Sequence, residues 1–186
     1  MDTIRSLHDA TLGSLGRALD GWFLPTLARF AFAAVLLQYF WNSALTKVNG
    51  ISGMLNPTMN AYVQIFPKQM EAVGYDVSQF GTGAYLVVLA GTVGEFVLPA
   101  LIVAGLFTRI AAIGMVIFVV VQSYVDVVGH GIALDAWFDG PSNGVILDQR
   151  LLWLMLFAVL IVKGAGPLSL DRVLTGLRPE PVPSHA

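Results

Sequence analysis

A single carboxylate carries the most chemical information in this chain of 186 residues. Glu95 lies in the apolar run Gly83–Ala104 (GAYLVVLAGTVGEFVLPALIVA), about twelve residues from its start. As a spanning helix rising about 1.5 Å per residue, that run puts the carboxyl near the bilayer midplane. An ionisable group at that depth faces the bundle interior and is a functional candidate by default. Other apolar runs supply partners. Gln38 and Asn42 lie four residues apart on one, Gln122, Asp126 and His130 repeat at the same interval on another, and Arg150 opens a fourth. Residues at i and i+4 share a helix face. These groups predict an outward-open ligand pocket lined by Gln38, Asn42, Gln122, Asp126, His130 and Arg150, with Glu95 at its floor.

Such a pocket suits proton and hydrogen-bond chemistry, with Glu95, Asp126 and His130 as the candidate proton-active groups. Structural roles stand beside that reading. Gln and Asn commonly hydrogen-bond between membrane helices for about 0.6 kcal/mol each, and Asp126 with Arg150 makes an ordinary ion pair near the interface. Asp126 and His130 have the spacing of metal ligands, but no third ligand is evident, so no metal site is assigned.

The elements that must position these groups follow from composition. Hydrophobic residues make up 56% of the chain and charged residues 12%, and the mean hydropathy is +0.73. A soluble domain carries roughly twice that charge, so lipid must cover much of the surface. Four runs are long and apolar enough for spans, at about 25–46, 83–104, 109–128 and 145–162. The expectation is an all-α integral membrane four-helix bundle. Residues 1–24 carry Ile4, Leu7, Thr11, Leu15, Leu19 and Trp22 at helical spacing and read as an interfacial helix, not a cleavable signal. The loop 47–82 is apolar, has helix signals at Asn56–Pro57, and reads as a helical lid over the outer mouth. Residues 164–186 read as a short interfacial helix and a disordered tail.

Seven basic residues (Arg5, Arg17, Arg29, Arg109, Lys163, Arg172 and Arg178) flank one side of the spans and three (Lys47, Lys68 and Arg150) the other. The bias predicts both termini in the cytoplasm and a location in the inner or plasma membrane. There is no cysteine, which excludes thiol relays and iron–sulfur clusters. The histidines are His8, His130 and His185, and their placement gives no haem-ligating pair. A formal net charge of −2 argues against nucleic acid.

The arrangement resembles the DoxX-like family of small four-helix membrane proteins (DoxX and DoxD type). The matching features are a first span ending in a polar turn with Lys47, the carboxylate in GTVGEF, the turn GLFTR, a third span ending at His130, and GAGPLSLD after the fourth. The resemblance implies Lys47, Glu95, Arg109 and His130 as family-pattern residues. It also implies association with quinone-linked oxidoreductases or with assemblies handling oxidative or metal stress. The expected role is therefore an accessory or redox-associated membrane subunit, possessing no electron carrier of its own and not acting alone as an enzyme. Quinone is the candidate cofactor, and the bilayer and further subunits or a homo-oligomer are the partners. A non-enzymatic anchor or scaffold, or a small-solute or metal transporter, are the alternatives.

Overall fold

A computed structural model describes residues 10, 13–50 and 53–176. The predicted N-terminal stripe before Ala10, His8, and the predicted tail with Arg178 and His185 lie outside the described residues. All regular structure among the described residues is helical. Helix α1 (Ser14–Asp20) precedes α2 (Phe23–Leu45), which contains a π turn at Ala33–Leu37. Two short helices follow, α3 (Met59–Ile65) and α4 (Pro67–Ala72). The long helices α5 (Thr82–Ala104), α6 (Thr108–Gly129) and α7 (Leu147–Lys163) complete the bundle, and α8 (Leu170–Gly176) follows them. The last turn of α6, Val125–Gly129, is again a π turn.

Three helices, α2, α5 and α6, are long and apolar enough to cross a membrane. The fourth, α7, has 17 residues, about 26 Å at 1.5 Å per residue. Each long helix packs on two others, in the ring α2–α5–α6–α7 and back to α2. Inside the ring, Phe32, Leu36, Phe40, Ile102, Met115, Phe157 and Leu160 form a dry core. The outward faces are equally apolar: Phe30, Ile110, Ile117 and Met155 are 58 to 70% exposed. Apolar on both faces, these helices suit lipid rather than water.

One register relation sets up the site. Ser43, two residues before the end of α2, bonds to Glu95, the fourteenth residue of α5. Helix α2 therefore ends level with the interior of α5, about 20 Å from the first residue of α5. Helices α3 and α4 occupy the remaining length, packing Ala61, Tyr62 and Met70 on Val88. A chain break at that depth needs its carbonyls satisfied within the protein. Asn60 Nδ2 donates to the Thr46 carbonyl at 2.8 Å, and the Thr58 N–H to that of Lys47 at 2.9 Å.

Candidate functional site

Helix α5 buries Val88, Thr92, Glu95, Pro99 and Ile102 along one face. Glu95 therefore points into the bundle, and Pro99 withholds the N–H its carbonyl would otherwise accept. Its partner is Lys47. Lys47 Nζ lies 2.5 Å from Glu95 Oε2, and both side chains are 5% exposed. Ser43 closes the triangle, accepting from Lys47 Nζ at 2.9 Å and donating to Glu95 Oε1 at 3.1 Å. A carboxylate and an ammonium so placed compensate each other in a setting that would exclude either alone.

A second pair stands on α6 and α7. Arg150, the fourth residue of α7, is 3% exposed and donates through Nη2 to Asp126 Oδ2. Its guanidinium carbon lies 6.0 Å from the Trp153 ring centroid. Among the described residues, Arg150 Nε and Nη1 are buried with no hydrogen-bond partner, as is Gln122 Oε1. The Gln122 amide nitrogen donates to the Tyr39 hydroxyl at 2.8 Å.

The two pairs share a cavity of about 370 Å³, which also contacts Tyr39, Gln64, Val87, Gln122, Val121 and His130. Val87 and Val121, on α5 and α6, are each about half exposed, so the cavity reaches the lipid-facing surface between those helices. The short helices cover its end: Gln64 and Ile65 line it, and His130 Nε2 meets the Gln64 carbonyl at 2.9 Å. Gly129 permits this seating, since a Cβ there would lie 2.8 Å from Pro67 Cγ.

Of the residues expected from sequence, Glu95, Gln122, Asp126, His130 and Arg150 line the cavity together. Gln38 and Asn42 do not. Both are exposed, because the cavity stripe on α2 is Tyr39 and Ser43, continued by Lys47 just past its end, and is rotated by about 100° for one residue of offset. Lys47, Ser43, Tyr39 and Gln64 were the site residues not read as pocket-forming. The i, i+4, i+8 polar spacing of Tyr39, Ser43 and Lys47 was the available signal. No group of three His, Cys, Asp or Glu side chains converges as metal ligands among the described residues.

Arg109 lies at the opposite end, where it donates to the Val162 carbonyl at 3.2 Å. Arg29 joins it there, donating to the carbonyls of Ile102, Val103, Ala165 and Leu168. Asp171 accepts from the N–H groups of Phe107 and Thr108 at 2.7 and 3.0 Å, capping α6 from a distant segment. Gly105 is required twice. Its φ is +66°, and a Cβ would lie 2.6 Å from Ser169 Cβ. The motifs GLFTR and GAGPLSLD thus meet as a structural knot that ties helix ends together.

No curated protein and no solved structure is detectably similar to the chain. The sequence profile of the DoxX family matches residues 24–126, from the start of α2 to Asp126 and so through Lys47 and Glu95. On that match, over more than half its length, the chain belongs to the DoxX family.

Proposed function

We propose that this chain is the membrane subunit of a redox assembly and holds a neutral lipophilic head group of the quinone class in the lid-covered cavity. The carrying observation is the set of buried groups unpartnered among the described residues: two nitrogens of Arg150 and the carbonyl of Gln122. A buried donor left unmade costs about 1–3 kcal/mol, more when charged, so the cavity is matched to a ligand offering acceptor oxygens. Charge supports neutrality. Lys47 balances Glu95 and Arg150 balances Asp126, so the walls carry no net demand for an anion or a cation. The volume falls in the range of small-molecule sites, and the gap at Val87 and Val121 gives a tail a path into lipid.

When bound, a quinone would supply two-electron, two-proton chemistry. The residues do the positioning. One of the unpartnered Arg150 nitrogens, Nε or Nη1, donates to a ring oxygen, and Gln122 accepts from that oxygen when it is reduced. Glu95, held by Lys47 and Ser43, stands on the far wall as the proton-active group. The electron source belongs to a partner protein. The basic bias around the Arg29 end orients the cavity toward the outer side, with both termini inside and four crossings of the inner or plasma membrane.

The test is a titration of the purified protein with a short-chain ubiquinone, read by Trp fluorescence, since Trp153 adjoins Arg150. Saturable quenching is expected, weakened tenfold or more in Arg150→Lys and unchanged in Gln38→Ala. Absence of saturable quenching in the native chain rejects the reading. A second reading, a docking anchor, draws on the loop after α6, where Trp137 is half exposed and Phe138 fully so. It expects Phe138→Asp to release a co-purifying protein while quinone titration stays normal.

A further inference from the structure

The displacement of Gln38 and Asn42 from the cavity leaves two amides on the outer face of a spanning helix. Both are exposed. No hydrogen bond joins either side chain to another described residue. Their depth follows from their neighbours. Trp41 Nε1 donates to the Phe96 carbonyl at 3.2 Å, which sets Asn42 level with the middle of α5, about 12 Å from its nearer end. Gln38 lies one turn further along, nine residues and about 13 Å from Arg29 at the knot. Asn42 is in the last turn of α2, but that helix end is itself level with the interior of α5. An amide in hydrocarbon is stabilised by finding a hydrogen-bond partner there.

We infer that this face of α2 is the contact surface between two copies of the chain. Three observations select a second copy. Each amide carries both a donor and an acceptor, so the pair is self-complementary across a twofold axis. Ala34, one turn before Gln38, is also exposed, and a small residue in that stripe lets two backbones approach. The ring places α2 opposite α6, so pairing through α2 leaves the gap at Val87 and Val121 open to lipid. The face of α5 carrying Gly91 and Gly94 is already occupied within one chain: a Cβ on Gly91 would lie 3.3 Å from Ile65 Cδ1, and one on Gly94 3.8 Å from Leu98 and Phe118.

The absence of cysteine from the whole sequence makes the test direct. The full chain carrying a single Ala34→Cys, Gln38→Cys or Asn42→Cys change is oxidised in membranes and run without reductant. A dimer band is expected from at least one of the three, and none from Ile117→Cys on the exposed face of α6. In parallel, two differently tagged copies are co-expressed and one is captured in mild detergent. Co-capture should fall roughly tenfold or more for the Gln38→Leu, Asn42→Leu double variant, with helicity and quinone titration unchanged. The inference is overturned if no α2 position cross-links, if Ile117→Cys cross-links equally, or if the double variant still co-captures its partner. Loss of the native quinone response would reject the proposed function and leave this inference untouched.

Discussion

Each end of the bundle holds an arginine within the protein, and the two are used differently. Arg29 directs three nitrogens at four backbone carbonyls, two at the end of α5 and two in the segment between α7 and α8. Four of its five N–H groups are used in this way. Arg150 makes one hydrogen bond among the described residues, to Asp126, and keeps two buried nitrogens, Nε and Nη1, without a partner there. The first joins the C-terminal carbonyls of α5 to those of the segment after α7. The second leaves a charged donor unsatisfied within protein that could have supplied partners. Charge at the knot ties segments together, and charge under the lid lines a cavity.

The largest expected effect lies at the knot. Arg29→Met removes the donor from four carbonyls at once. It should cost about 4 kcal/mol or more of stability, measured by denaturant titration in detergent. Quinone affinity of the folded fraction should be unchanged. A stable Arg29→Met protein would break the contrast.

At the lid end, Arg150→Met leaves Asp126 without its counter-ion and should cost about 3 kcal/mol. Arg150→Met combined with Asp126→Leu removes both charges and should recover most of that loss. Quinone binding should not recover. Restored binding in the double variant would show that the free N–H groups of Arg150 serve no ligand.

Asp171 gives a smaller effect with a pH signature. Burial alone would raise its carboxyl, but the N–H donors of Thr108 and Phe107 and the charge of Arg29 outweigh it and hold the group below its usual 3.8. A depressed value means the cap contributes fully above about pH 4 and is lost as pH falls through the folded value. Asp171→Asn should cost about 1 kcal/mol at neutral pH, as for other lost caps. It should also flatten the acid limb of the stability profile.

These contrasts show what a linear reading reaches. The all-α class and the long helices follow from apolar runs of spanning length, and Glu95 declares itself as a charge within one. Gln122, Asp126 and His130 were legible as an i, i+4 stripe, and Arg150 as the cation level with it. Lys47 was harder to place. It follows the end of a span, where a lysine ordinarily faces water, and only the early stop of α2 beneath the lid brings it to Glu95. Gln38 and Asn42 satisfy the same spacing rule as the α6 stripe. Spacing gives a shared face but not which face points inward, and one residue of offset moved them to the surface. The roles of GLFTR and GAGPLSLD are likewise tertiary. Gly105 and Asp171 acquire meaning only once segments more than sixty residues apart meet.

The smallest expected effect concerns how the cavity opens. His130 meets the lid through one hydrogen bond to the Gln64 carbonyl, at an exposed position. The imidazole is the donor there in either protonation state, because a carbonyl only accepts, so protonating His130 does not break the contact. Removing it by His130→Ala should cost at most about 1 kcal/mol, since Pro67 against Gly129, Ile65 against Gly91 and the Tyr85 hydroxyl on the Leu55 carbonyl also hold the lid. The consequence should be kinetic. A looser lid lets a ligand enter and leave faster, so stopped-flow quenching should accelerate severalfold in both directions while equilibrium affinity shifts less than twofold. A large loss of affinity in His130→Ala would instead place the imidazole on the ligand itself, and the lid end would then hold a third group in reserve beside Arg150 and Gln122.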